Sequence, residues 1–195
     1  MPESNRSLLE RCLAISEMLK EGQEITFGEL LQKMGESGPL LLVVIISIPF
    51  LLPMPVPGLS VPFGIVIAFS GVAIALKRPL WLPRFFREKK FSVKTLQQIF
   101  ATGTKFLRKI RPLFRERLTI VASSWAVQLM AGLLITLCGL LLALPLPPGT
   151  NFPPALIITL SAIGLLERDG LLLILAPTLL ALIIIGVGRL IGEWH

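Results

Sequence analysis

The sequence predicts an all-α, polytopic integral membrane protein. Its parts are two repeated proline-broken helical hairpins, spanning helices and amphipathic surface helices. Three observations carry that expectation: an apolar composition, long stretches without charge, and a proline-rich turn that occurs twice. Of the 195 residues, 53% are apolar and 16% charged, whereas a soluble domain carries about a quarter charged. So few charges cannot cover a water-facing surface, which excludes a soluble enzyme. The balance is basic, with 19 Lys+Arg against 12 Asp+Glu.

Residues 1–37 read as a soluble-facing segment. Ser7 with Glu10 fits a capping box, and Leu8, Cys12, Ile15 and Leu19 then share one helical face. Thr26 and Glu29 repeat the signature before Leu30, Leu31 and Met34. Two short amphipathic helices follow, lying on a surface or packing as a small cap. Seven acidic residues and no apolar stretch in this segment predict no secretory signal.

Residues 38–76 hold no charge. A helix needs about 20 apolar residues to cross a bilayer, but the middle here is Pro53-Met54-Pro55-Val56-Pro57-Gly58, which cannot be helical. The arms on either side, Leu40 to Leu52 and Pro62 to Leu76, are 13 and 15 residues long, and Pro49 interrupts the first. The expectation is a re-entrant hairpin that enters and leaves on one side; two thin, tilted spans are the alternative.

Residues 77–117 hold 13 of the 19 basic residues, against Glu88 and Glu116. A loop this basic stays cytoplasmic. Val93, Leu96, Phe100, Gly103 and Leu107 mark an apolar helical face within it. Basic and apolar faces together suit anionic lipid headgroups, and the flanking apolar segments argue against nucleic acid. Residues 118–195 form the last region. Leu118 to Leu144 is long enough to span, the turn Pro145-Leu146-Pro147-Pro148-Gly149 follows, and an arm runs from Pro153 to Leu166. After Glu167-Arg168-Asp169, Leu171 to Ile191 reads as a plain transmembrane helix.

The two proline turns are copies. Leu52 to Gly58 aligns with Leu144 to Gly149 after one deletion, and beyond the turn a constant offset of 91 pairs Ser60 with Asn151, Pro62 with Pro153, Ser70 with Ser161 and Lys77 with Arg168. Ser60 and Asn151 are favoured N-cap types, and the prolines fit a helical first turn. Each repeat therefore breaks its hairpin and starts a second helix at the tip. Tips buried in lipid need partners for their free N–H groups, and helix N-termini attract anions. An inverted repeat would bring two such tips together as a transport site; tips that only satisfy each other, or sit among headgroups, are the alternative.

The candidate anion-binding residues are Gly58, Ser60, Lys77, Arg78, Gly149, Asn151 and Arg168, with Glu167 and Asp169 as candidates to carry a coupling proton. The bland reading of Glu167-Arg168-Asp169 is an interfacial turn, and of Lys77 and Arg78 a pair of cytoplasmic anchors. Ser70 and Ser161 read as helix-packing residues and Cys138 as a small core residue. The only histidine is His195, and Cys12 and Cys138 lie far apart. No catalytic set, phosphate loop or metal spacing is present, so neither an enzyme, a cofactor nor a metal is expected.

The run Asn151-Phe152-Pro153-Pro154-Ala155-Leu156, continuing to Gly164-Leu165-Leu166-Glu167-Arg168-Asp169-Gly170, resembles the ExoD family of bacterial exopolysaccharide-synthesis proteins. The similarity extends to Ile25-Thr26-Phe27-Gly28-Glu29-Leu30-Leu31, Pro57-Gly58-Leu59-Ser60 and Pro79-Leu80-Trp81-Leu82-Pro83. The resemblance implies a multi-pass protein of the bacterial inner membrane, linked to exopolysaccharide production. Broken hairpins of this kind also look like those of DedA-type lipid transporters, which handle polyprenyl phosphate, an analogy of architecture alone. The expected function is a carrier for a lipid-linked or small anionic substrate held at the paired tips. The alternative is a non-transporting scaffold that docks polysaccharide-synthesis enzymes. Membrane lipids, polyprenyl phosphate among them, and a second copy of the chain are the candidate partners.

Overall fold

The computed structural model describes residues 38–51, 60–78, 80, 118–144 and 149–192, with Glu17, Gln97 and Lys105 as isolated helical positions. The predicted N-terminal helices, most of the basic segment and the proline-rich cores of both turns, Gly58 included, lie outside the described residues. Six helices and no strand occur among them: α1 Gly38–Leu51, α2 Ser60–Ala75, α3 Thr119–Ser123, α4 Trp125–Ala143, α5 Phe152–Leu166 and α6 Gly170–Gly192. The all-helical expectation holds. Among the described residues only α4 is both long and apolar enough to cross a membrane; α1, α2, α5 and Gly170–Gly186 of α6 are shorter apolar helices.

Two local expectations change. The predicted continuous helix from Leu118 breaks at Ser124, whose backbone is extended (φ −65°, ψ 131°), so α3 and α4 are separate. Adjacent Ser123 and Ser124 offer the backbone side-chain alternatives to helical bonding. Pro49 does not stop α1, which continues to Leu51. A proline sacrifices the bond to the carbonyl four residues back, and here only two residues follow it.

The core is built around α1. Ten of its fourteen residues are buried, from Leu41 to Ile48 without a break. A helix apolar all round belongs inside a bundle. α1 packs on α5, and Ile67, Ile135, Cys138, Leu142, Ile157 and Ile158 complete the cluster around it.

The second crossing pairs α2 with α4, and small residues define it. A Cβ added at Gly64 would lie 2.5 Å from the Ala143 nitrogen, at Gly71 2.5 Å from Thr136 Oγ1, at Gly132 2.5 Å from the Ala75 nitrogen, and at Gly139 2.8 Å from the Ala68 nitrogen. Along α2 the contacts climb through 64, 68, 71 and 75; along α4 they descend through 143, 139, 136 and 132. The helices are therefore antiparallel and meet backbone to backbone. Small residues at four-three-four spacing permit that approach.

The repeat is structural as well as sequential. Ser70 and Ser161, matched by the offset of 91, each donate to the carbonyl four residues back at 2.8 Å, Val66 and Ile157 respectively. Lys77 and Arg168 both adopt left-handed backbone, with φ of 50° and 52°. Beyond them, Arg78 N donates to Ala73 O and Asp169 N to Gly164 O, each at 2.9 Å. Both second arms thus end in the same six-to-one turn. The first arm of each repeat packs on the second arm of the other, so the two hairpins exchange partners.

The repeats are not inverted. Because the start of α2 lies against the end of α4, Ser60 and Leu144 stand at one end of the bundle. Phe50 and Phe63, whose rings meet edge to face with centroids 6.2 Å apart, bring Leu51 to the same end. Both proline turns are thus bounded by residues of a single end. Inversion would have put them at opposite ends; the observed relation is that of parallel repeats about an axis running along the helices.

Candidate functional site

The sequence-predicted residues divide between the two ends of the bundle. At the turn end stand Ser60, Gly149 and Asn151; at the other stand Lys77, Arg78, Glu167, Arg168 and Asp169. α5 alone separates Asn151 from Arg168 by 15 helical residues, about 22 Å at 1.5 Å per residue. One substrate group cannot touch both sets, so the combined site expected from sequence is corrected to two separate places.

At the turn end, the start of α5 lacks the amides it was expected to offer. In α5, Phe152 N donates to Gly149 O at 3.3 Å and Ala155 N donates to Asn151 O at 3.1 Å. Pro153 and Pro154 between them have no N–H to give. The first turn of α5 therefore presents no free donor to an anion. Asn151 itself is not a side-chain cap: its backbone is helical (φ −76°, ψ −17°) and its side chain makes no capping bond. Its Oδ1 is buried without a hydrogen-bond partner among the described residues. Gly149 adopts φ +97°, a conformation L side chains resist. Ser60 is the first residue of α2 rather than its cap; that helix has one proline, Pro62, in its first turn, so the amides of Val61 and Phe63 have no partner within the helix.

At the other end, Asp169, a candidate proton carrier in the sequence, caps a helix. It is 1% exposed, and its Oδ1 accepts from Leu171 N at 3.0 Å, at the start of α6. A carboxylate there satisfies an orphan amide and faces the positive end of the helix. Glu167 is half-buried and closes the last turn of α5, its N–H donating to Ile163 O at 2.8 Å. Arg168, Lys77 and Arg78 are exposed.

Three features of this arrangement were missed in the sequence. The small-residue spacing in α2 and α4 was readable, since the same four-three-four step occurs in both. Ser47 and Thr159, both buried, meet with hydroxyl oxygens 2.8 Å apart; no local signal marks a pair 112 positions apart. The matched left-handed turns were hidden because neither carries the usual glycine. The packing roles expected for Ser70, Ser161 and Cys138 hold: all three are buried.

The sequence profile described as "Exopolysaccharide synthesis, ExoD" matches residues 9–188. Protein ExoD of Rhizobium meliloti is 33% identical over 172 residues, which cover 87% of this chain and 71% of that protein. An uncharacterized protein of Synechocystis sp. is 32% identical over 133 residues, covering 68% of this chain and 62% of its own length. No solved structure matches. A match that takes in both proline turns, the basic segment and most of α6 leaves one conclusion: the chain belongs to the ExoD family, that of proteins related to exopolysaccharide synthesis.

Proposed function

We propose that this protein serves exopolysaccharide synthesis as a multi-pass protein of the bacterial inner membrane. In this reading it is a non-enzymatic platform that displays its cytoplasmic 77–117 segment to other components of the machinery. The observation that carries the membrane part is an inside-out distribution of side-chain size. Gly132, Thr136, Gly139 and Ala143 of α4 face α2, while Met130, Leu133, Leu137, Leu140 and Leu144 are exposed along the other side. Water would penalise so large a contiguous apolar face, whereas lipid tails accept it.

Helix lengths favour a re-entrant first hairpin over two full spans. α1, α2 and α5 have 14, 16 and 15 residues, about 21 to 24 Å. α6 starts at the charged end and runs for 23 residues, about 34 Å, enough for a hydrocarbon core of about 30 Å. The short arms α1, α2 and α5 then stop short of the far surface, while α4, with 19 residues, and α6 are long enough to cross.

The platform is preferred to the carrier because one of the two crossings between the repeats, that of α2 with α4, is closed. Backbones that meet without room for a Cβ leave no gap for a substrate and cannot slide without losing their contacts. The carrier keeps one specific support, the Oδ1 of Asn151 beside a turn, buried and without a partner among the described residues.

Complementation separates the two. In cells lacking the endogenous protein, Lys89→Gln, Lys90→Gln, Arg108→Gln and Lys109→Gln together abolish exopolysaccharide production, while Asn151→Ala and Ser60→Ala keep it. The reverse pattern, at equal membrane abundance, would favour the carrier.

A further inference from the structure

We propose that Lys77 and Arg168 are a repeat-matched pair of anchors for the phosphates of anionic membrane lipids. The inference rests on the membrane reading above and deepens it by naming the residues that meet the headgroups. It starts from a backbone oddity. Both residues occupy the left-handed position that ends the second arm of a repeat, at φ 50° and 52°. A side chain there is strained, and glycine is the usual occupant. The same six-to-one hydrogen bond closes both turns, so glycine would serve the backbone better at either site. Each nevertheless carries a long cation. Something other than the turn selects the side chain.

The surroundings indicate what. Each residue follows an apolar helix without an acidic or basic side chain, Ser60–Ala75 or Phe152–Leu166. Each is exposed just where that apolar surface ends. Leu76, immediately before Lys77, is itself 59% exposed. A long aliphatic stem covering such a rim while its charged head reaches headgroup phosphate is the snorkelling arrangement. Charge complementarity points the same way. Arg78 is exposed beside Lys77, and the segment that follows is strongly basic. Of the two acidic neighbours of Arg168, Asp169 is turned inward as the cap of α6 and Glu167 is half-buried. The competing explanation is that a cation simply complements the negative end of its helix. That effect requires no lipid, and the two therefore part experimentally.

The full chain is purified in a neutral detergent, and lipid binding is followed by native mass spectrometry. The probes are phosphatidylglycerol, phosphatidylcholine and inorganic phosphate. Asn tolerates left-handed backbone, so Lys77→Asn and Arg168→Asn remove charge without disturbing the turn. Each single change weakens phosphatidylglycerol binding about 5-fold and the pair about 25-fold, taking about 1 kcal/mol per cation at an anionic surface. Lys89→Asn with Lys90→Asn removes equal charge and weakens binding less than the pair does. Phosphatidylcholine binding is unchanged, and inorganic phosphate does not compete. The proposal is overturned if the Lys77/Arg168 pair binds phosphatidylglycerol like the parent. It is also overturned if the control pair loses as much, or if millimolar inorganic phosphate displaces the lipid. Lower thermal stability without lipid, at unchanged phosphatidylglycerol affinity, would assign both cations to the helix dipole alone. Failure of the membrane reading shows separately and earlier, as recovery of the chain in the soluble fraction of lysed cells.

Discussion

Two helix crossings join the first arm of each repeat to the second arm of the other, and the repeat makes them equivalent while chemistry makes them different. Ala68 meets Gly139 between α2 and α4. Shifting these positions by the repeat offsets, 91 beyond the turn and 92 before it, gives Thr159 and Ser47, the hydroxyl pair between α5 and α1. One crossing is closed by backbone contact. The other is bridged by a hydrogen bond in which both hydroxyls also reach carbonyls of their own helices, Val44 at 2.9 Å and Ala155 at 2.7 Å. Two hydroxyl protons serve three such contacts, so one contact is unfilled at any instant. Contact without Cβ tolerates no added atom, whereas a hydroxyl pair tolerates its own removal.

The matched geometry gives the largest expected effect, an all-or-none pattern of accessibility. With Cys12 and Cys138 replaced by Ser and Ala, Leu51→Cys and Leu144→Cys respond alike to membrane-impermeant reagents in intact cells. Arg168→Cys is reached only after the inner membrane is opened. A C-terminal tag after α6 is reached from outside. Opposite labelling of positions 51 and 144 would break the parallel repeat.

The difference between the crossings predicts unequal costs of substitution. Gly132→Ala forces a Cβ onto the Ala75 backbone and costs about 3 kcal/mol, read as a lower unfolding temperature in detergent. Gly186→Ala, which meets nothing within 4 Å, is neutral or stabilises by about 0.5 kcal/mol. Ser47→Ala or Thr159→Val at the other crossing costs about 0.6 kcal/mol, the average of buried polar contacts in membrane bundles. A cost at Thr159 equal to that at Gly132 would mean that the crossings carry load in the same way. The smallest effect is at the matched turns, where Lys77→Gly and Arg168→Gly each stabilise the lipid-free protein by about 0.4 kcal/mol, because relief of left-handed strain is largely offset by the backbone freedom glycine loses on folding.

The helices were legible because their signals are local. Ser60–Ala75, Phe152–Leu166 and Gly170–Gly192 each lie within two residues of the segment bounded by prolines or charges. The repeat was legible too, since proline, glycine and polar residues recur in one order among leucines. The break at Ser124 was not, because a polar pair inside an apolar run only weights the alternatives. The candidate site was legible as residues and not as a place. Spacing shows that Asn151 and Arg168 flank one helix, but their functional separation follows only once that helix is straight and its first amides are seen to be filled. Asp169 could have been read as a cap from its place before Gly170-Leu171, had the run of charges not suggested chemistry.

By itself the sequence determined that the described segments are helical and apolar, where the proline turns part them, and that the chain is built twice. These follow from hydrophobic segments and proline sterics, which act within a few residues. The tertiary structure alone decided that the hairpins exchange arms, that both turns share an end, and that glycines close one crossing while hydroxyls bridge the other. Helices apolar on every face carry no stripe to say which side meets which neighbour. Partner and direction are then settled by whether two surfaces fit, a property no single segment contains.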